Sequence, residues 1–118
     1  MSAPPSVMMA WTKVRSEHDG FELIEHPVPS PALGEVLVKT NSTSICGTDL
    51  HVWKWDEWSR KNVGLGTITG HETSGVVIAL GEGVDTHTIG DEIAVECHCA
   101  CWHCPRCEEG NAHICENG

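Results

Sequence analysis

The chain has 118 residues, enough for one domain with a modest core, and it is acidic, with a formal net charge of −10. After Lys61 nine acidic side chains face one basic residue, Arg106, so the basic footprint that nucleic acid needs does not form and no such partner is expected. No apolar run approaches the roughly 18 residues of a membrane span, and Met1 to Ala10 lacks the features of a signal peptide. No membrane contact and a cytoplasmic location are therefore expected.

Turn-forming residues divide the chain into short segments, most of which have the alternation or the β-branched residues typical of strands. Residues 1–7, small and rich in proline, predict a loose tail. The predicted strands are residues 7–14, 21–26, 35–40, 73–80 and 92–96. Residues 46–52 predict a turn that leads into one helical turn, and residues 53–60 predict a short amphipathic helix on which Trp55 and Trp58 share a face. Together these segments predict a mainly β, barrel-like domain with little helix.

Two pairs of glycines, Gly64-x-Gly66 and Gly81-x-Gly83, begin the pattern of a dinucleotide-binding loop, but the sixth position is threonine in both. Neither pair follows the strand, turn and helix order that a dinucleotide-binding fold requires. They are interpreted as turn glycines, so this chain shows no nicotinamide-binding unit of its own.

Four cysteines near the end of the chain have the spacing C-x2-C-x2-C-x7-C: Cys101, Cys104, Cys107 and Cys115. This spacing brings four thiolates to one tetrahedral point, and four sulfur ligands leave no open position, so the prediction is a structural zinc ion within a loop of residues 97–118. Disulfides are disfavoured because the cysteine count is odd and no export signal is visible. His113 is a rival to Cys115 as the fourth ligand. Cys97 and Cys99 are interpreted as inert buried thiols, with competition for a metal as the alternative.

A second constellation lies upstream, in Cys46-Gly47-Thr48-Asp49-Leu50-His51 and in Gly70-His71-Glu72. A catalytic zinc ion takes three protein ligands and keeps one position for water or substrate. Cys46 and His71 offer suitable sulfur and nitrogen ligands, Glu72 is a ligand or a neighbouring carboxylate, and Asp49 could orient His71 through its second ring nitrogen. Spacing alone leaves open that the cysteine is a small core residue and that the histidine makes a local hydrogen bond.

These two motifs, together with the four-cysteine loop, resemble the N-terminal half of the zinc-dependent medium-chain alcohol dehydrogenases, and the resemblance covers nearly the whole chain. Within that family, three further features resemble the members that oxidise the 3-hydroxyl of L-threonine: the segment Trp55-Asp56-Glu57-Trp58-Ser59, the pair Glu96-x-His98, and the ending Cys107-x-x-Gly110-x-x-His113-x-Cys115.

The resemblance implies a GroES-like β-barrel and two zinc ions, one catalytic and one structural. The catalytic ion would be bound by Cys46 and His71 with Glu72 beside them, and the structural ion by Cys101, Cys104, Cys107 and Cys115. Thr48 and His51 would be the catalytic residues, taking the proton of the substrate hydroxyl and passing it toward solvent. The resemblance also implies a small-molecule alcohol as substrate, with L-threonine first, and homo-oligomers for the full-length family.

Family members are much longer than this chain, so the resemblance implies an incomplete catalytic domain. NAD would bind through a domain that is absent here, a further ligand of the catalytic zinc would also lie outside, and the chain alone would oxidise nothing measurable. Two alternatives stay open. The chain could come from a polyol dehydrogenase of the sorbitol type, or it could be a stand-alone zinc-stabilised module that binds another protein.

Overall fold

The computed structural model describes residues 4–118, in which five short strands and three short helices are joined by turns. The strands are β1 (Val7–Lys13), β2 (Phe21–Pro27), β3 (Val36–Thr43), β4 (Thr73–Leu80) and β5 (Glu92–Ala94). The helices are α1 (Gly47–Lys54), α2 (Glu57–Asn62) and α3 (Pro105–Glu108), and a 3-10 turn spans Ala112–Ile114. The prediction of a mainly β domain with little helix is confirmed. No helix among these residues is long and apolar enough to cross a bilayer.

All described strand pairs are antiparallel. β1 pairs with β2 from Val7–Pro27 to Lys13–Phe21, while β3, β4 and β5 form a second sheet in that order. The end of β1 also pairs with residues 66–69, through a bridge between Thr12 and Ile68 and a 2.9 Å bond from Lys13 N to the Thr67 carbonyl. This segment therefore ties the hairpin of β1 and β2 to the chain that leads into β4.

Strand boundaries differ modestly from the predicted ones. Val7, which the sequence analysis counted in both the loose tail and the first strand, begins β1, and the strand ends one residue earlier than predicted. Residues 4–6 precede it, and residues 1–3 of the predicted tail lie outside the described part of the chain. β3 extends to Thr43 because two register shifts, next to Val38 and Ser42, keep its polar end paired with β4. β5 ends at Ala94, two residues earlier than predicted.

The single helix predicted over residues 53–60 is wrong. α1 ends at Lys54, Trp55 adopts a left-handed conformation with φ 54° and ψ 47°, and α2 begins only after Asp56. The Trp55 N–H closes α1 on the His51 and Val52 carbonyls, while the Asp56 carboxylate accepts the Ser59 N–H and so caps α2. Trp55 and Trp58 therefore do not share a helix face.

The hydrophobic core is small. Within the described residues its buried apolar side chains are Val52, Trp55 and Val77, together with the thiols of Cys104 and Cys107. Three polar side chains are fully buried as well: Thr12, Lys13 and Ser59. Each has hydrogen-bond partners, as burial of a polar group requires. Thr12 and Lys13 bond within the first hairpin and its turn, and Ser59 bonds to the residue that caps α2.

The turn after β4 is packed against the turn before β3, and Gly81 lies where the two backbones touch. The Gly81 N–H donates to the Glu35 carbonyl at 2.8 Å, and a Cβ atom at Gly81 would lie 1.8 Å from the Ala32 oxygen. Since only backbone surrounds that position, we expect Gly81→Ala to lower the free energy of unfolding by about 2 kcal/mol. Chemical denaturation monitored by tryptophan fluorescence measures this.

Gly83→Ala is the matched control. Gly83 has φ 80°, which favours glycine, but a Cβ atom there would meet only the Leu33 Cδ1 atom at 3.5 Å. The expected cost is about 1 kcal/mol, from backbone conformation alone. Equal costs at the two positions would contradict the close approach at Gly81.

Candidate metal centres

The four cysteines predicted to bind zinc converge at the end of the chain. The sulfur atoms of Cys101, Cys104, Cys107 and Cys115 all lie within 4.8 Å of one another. Cys104 Sγ is 3.5 Å from Cys107 Sγ and 3.9 Å from Cys115 Sγ. A tetrahedral zinc ion with bonds of about 2.3 Å holds its sulfur ligands roughly 3.8 Å apart, so the spacing and chemistry of this donor set fit that ion.

Local structure explains the convergence. Cys104 precedes α3 and Cys107 lies within it, so the three-residue spacing places both sulfur atoms on one face of the helix, where both side chains are buried. Pro105 begins α3, where its missing N–H costs nothing. The 3-10 turn then carries Cys115 back, and its sulfur accepts the N–H groups of Cys101 and Asn117 at 3.3 Å each.

The crowded thiols differ in their readiness to ionise. The Asn117 side-chain amide, 3.4 Å from the sulfur, lowers the pKa of Cys101 to about 6, with help from backbone N–H groups. Burial, followed by the neighbouring Cys104 sulfur, raises the pKa of Cys107 to about 12. The neighbouring sulfur atoms add to this split, because a thiol beside a thiolate resists ionisation, and a dication at their centre would offset that repulsion.

Cys46 and His71, the proposed ligands of the upstream site, also lie close together. Cys46 Sγ lies 3.0 Å from His71 Nε2, although the two residues are 25 positions apart. The cause is the antiparallel pairing of β3 and β4, which places the segment after β3 beside the segment before β4. Ser44 N bonds the Glu72 carbonyl at 3.0 Å and extends the ladder one step past the strands. Both side chains are half-buried.

Cys46 is the residue that caps α1. Its sulfur accepts the Thr48 N–H at 3.3 Å, and the Cys46 N–H donates to the Asp49 carboxylate at 2.9 Å, which completes a capping box. The sequence suggested that Asp49 orients His71. In the structure Asp49 instead accepts a hydrogen bond from the backbone of Cys46. Its carboxylate still lies within 4.8 Å of the Cys46 sulfur and the His71 ring, so a negative charge adjoins the pair.

Glu72 does not join this group. Its carboxylate is exposed and accepts a hydrogen bond from the Ser44 hydroxyl. It lines an open cavity of about 380 Å³ at the end of the second sheet, together with Glu96 and Cys97. Neither Cys46 nor His71 lines this cavity, so Glu72 is related to the candidate centre only by its place next to His71 in the chain.

Thr48 and His51 lie on α1, three residues apart, so they are neighbours on the helix surface, and both are exposed. His51 Nδ1 contacts the Asp56 carboxylate, and its ring centroid lies 5.8 Å from that of Trp58. The contact of Asp56 with His51 is not predicted from the sequence. The available signal was the residue type of Asp56, since aspartate is favoured at a helix N-cap, but the unbroken helix predicted over residues 53–60 concealed it.

The remaining cysteines and histidines of the last segment are exposed. Cys97 and Cys99 are free thiols on the surface, so the expectation that they are buried is wrong. Glu96 Oε1 and His98 Nδ1 are 2.5 Å apart and Cys97 lies beside them, which makes an exposed mixed donor group whose carboxylate already pairs with the imidazole. His113 is exposed and does not belong to the four-sulfur group.

Comparison with known proteins gives a consistent result. Residues 32–118 match the alcohol dehydrogenase GroES-like domain. L-threonine 3-dehydrogenase from Pyrococcus furiosus is 44% identical over 110 residues, which cover 93% of this chain and 31% of that protein. This chain therefore spans about a third of the length of the curated relatives it matches.

Two solved structures have the same fold. A thermostable alcohol dehydrogenase from Pyrobaculum aerophilum with bound cobalt and zinc is 29% identical, with a TM-score of 0.82, over 93% of this chain and 32% of that one. An alcohol dehydrogenase from Escherichia coli CFT073 in complex with NADH is 32% identical, with a TM-score of 0.78, over 94% of this chain and 31% of that one.

Proposed function

The chain belongs to the alcohol dehydrogenase GroES-like domain family, and from that premise we propose that it forms the zinc-binding catalytic domain of an NAD-dependent oxidoreductase that oxidises L-threonine at its 3-hydroxyl. The observation that carries the proposal is the 3.0 Å approach of Cys46 Sγ and His71 Nε2 across the end of β3 and β4. A closed four-thiolate site can only support structure, whereas a mixed sulfur and nitrogen site with an exposed side can bind a substrate.

The two donor sets support a proposal of two zinc ions with different roles. Cys101, Cys104, Cys107 and Cys115 would hold a structural zinc ion; Cys46 and His71 would hold a catalytic one, with Glu72 as an exchangeable or neighbouring carboxylate. A zinc ion at Cys46 and His71 supplies a Lewis acid, which lowers the pKa of a bound hydroxyl.

The proton and the hydride leave to different acceptors. As the C=O bond forms, the hydroxyl proton passes to the Thr48 hydroxyl and on to His51, which is exposed and can release it to water. The hydride goes with its electron pair to the nicotinamide of NAD, since no side chain can accept it. All described strands of this chain are antiparallel, so the nicotinamide would bind on another domain, and we expect no NADH formation from residues 1–118 alone.

L-threonine is proposed as the substrate because the relative from Pyrococcus furiosus bears that activity in its name at 44% identity. A polyol of the sorbitol type is the competing substrate. Replacing the matched segment of that relative with this chain would give a full-length enzyme in which the two can be compared. A higher kcat/KM for sorbitol than for L-threonine would reject the threonine assignment and leave the class of reaction intact.

Metal content tests the proposal on the same full-length chimera, which restores the ligand that this chain lacks. We expect two zinc ions per folded chimera, and one in its Cys46→Ser variant, because serine removes the thiolate of the upstream site only. Cys99→Ser is the matched control, since Cys99 is exposed and outside both groups, and it should keep two. Cobalt substitution adds a second readout, because four thiolates and a mixed site give different visible spectra. One ion in both the parent chimera and its Cys46→Ser variant would favour a zinc-stabilised binding module.

A further inference from the structure

The ring of His51 has a partner that holds it. His51 Nδ1 contacts Oδ2 of Asp56, and the Trp58 ring lies 5.8 Å away at 54° to the imidazole plane. The other carboxylate oxygen of Asp56, Oδ1, accepts the Ser59 N–H at 2.9 Å and the Ser59 hydroxyl at 3.0 Å. The carboxylate is therefore fixed by α2 on one side and presented to α1 on the other.

This contact exists only because the helix is broken. On a continuous helix His51 and Asp56, five residues apart, would point in directions that differ by about 140°. The left-handed Trp55 turns the chain between α1 and α2, so that the residue capping α2 meets the last turn of α1. Trp55 is held in that conformation by burial and by a 2.8 Å bond from its indole Nε1 to the Ser16 hydroxyl.

The structure assigns Asp56 as the positioning residue for His51. The contact itself is independent of the proposed function, and only the proton transfer through His51 rests on it. A carboxylate can only accept a hydrogen bond, so the neutral ring must carry its proton on Nδ1. Nε2 is then left with a lone pair, free to take the proton that Thr48 passes along α1. An unheld imidazole would divide between both tautomers and rotate on the exposed helix surface.

Asp56 is well suited to remain a pure acceptor. The Ser59 backbone N–H, followed by His51, lowers the pKa of its carboxyl to about 2. The carboxylate is therefore ionised throughout the pH range in which an imidazole changes charge. Ser59 is fully buried, so the hydroxyl that donates to Asp56 has little freedom to move. Asp56 therefore keeps its role as an acceptor across that range.

The tautomer of His51 tests the assignment directly. In the 15N-labelled chain, at a pH where the ring is neutral, nitrogen shifts should show the Nδ1–H form in roughly tenfold excess, because its hydrogen bond has a charged acceptor. In Asp56→Asn the amide oxygen can still cap α2, while its NH2 group faces Nδ1. We expect the ratio to invert in favour of Nε2–H, with amide shifts of α2 retained.

Two further variants keep the result interpretable. Asp91→Asn makes the same substitution at a half-buried carboxylate that caps a turn by accepting hydrogen bonds from Thr88, and it should leave His51 unchanged. Asp56→Ser keeps a helix cap but is too short to reach His51, so the excess of Nδ1–H should disappear. An Nε2–H ring in the parent chain, or the same ratio in Asp56→Asn, would overturn the assignment. These outcomes are independent of the metal counts that test the proposed function.

Discussion

Cys107→Ser is expected to release the structural metal and to unfold residues 101–118 while the two sheets remain folded. From residue 95 to the end of the chain, Cys104 and Cys107 are the only buried residues. The loop has no hydrophobic core apart from its proposed metal ligands. A bound ion would therefore stabilise the loop in place of a hydrophobic core. Binding of structural zinc contributes about 10–16 kcal/mol to the folding of small domains, which far exceeds what the exposed ion pairs of Arg106 can replace.

Amide hydrogen exchange resolved by residue measures this effect. In the zinc-loaded parent chain, the N–H groups that bond within the loop, such as those of Glu108 and Cys115, should be protected. In Cys107→Ser they should exchange at the rates of an unfolded peptide, while β3 and β4 keep their protection. Cys99→Ser removes an exposed thiol from the same segment and should exchange as the parent does. Full protection of the loop in Cys107→Ser would show that it folds without four sulfur ligands.

The features predicted well from the sequence are those set by local patterns. β4 was located because a β-branched run between glycines suits a strand and little else. The four-cysteine group was identified because its ligands fall within fifteen residues, so that one short helix and one turn suffice to assemble it. Turn glycines were separated from a dinucleotide-binding loop by asking which elements flank them.

The features missed depend on contacts between distant segments. Trp55 adopts a left-handed conformation, which costs a residue with a Cβ atom about 1–2 kcal/mol. No local sequence pattern predicts this conformation. The compensation comes from Ser16 and Lys13 on the first hairpin. The approach of Cys46 and His71 likewise follows from the register of β3 against β4, so spacing alone left it open. Asp56 was overlooked for the same reason, since its partner His51 meets it only across the break.

The side chain of Lys13, on the first hairpin, contacts Trp55 and stabilises the break between α1 and α2. It is fully buried, and its ammonium donates to the carbonyls of Glu17 and Asp19 at 2.6 and 2.7 Å. The same nitrogen lies 5.1 Å from the Phe21 ring centroid and 4.7 Å from that of Trp55. The Lys13 ammonium thus connects the turn between β1 and β2 to Trp55, the residue that separates α1 from α2.

Lys13→Met is expected to lower the free energy of unfolding by about 3 kcal/mol, because hydrogen bonds from a charged donor and a cation–π contact are lost while an apolar stem of similar length remains. Urea denaturation monitored by tryptophan fluorescence measures it. Lys61→Met is the matched control: Lys61 is exposed and pairs with Glu57 one helical turn away, a contact that contributes about 0.5 kcal/mol or less. A loss equal to that of the control would contradict the role assigned to Lys13.

The pH dependence of stability gives an independent check on Lys13. Burial lowers its pKa from the usual 10.5, and the negative charges of Asp19 and Glu17 oppose that shift only in part. Between the two pKa values the unfolded chain binds more protons than the folded one, so the stability of the parent chain should rise as the pH increases toward 10.5. Lys13→Met should lack that rise. Because Trp55 would lose its cationic neighbour in the same variant, the excess of Nδ1–H in His51 should fall as well, which would link the hairpin turn to the proton path on α1.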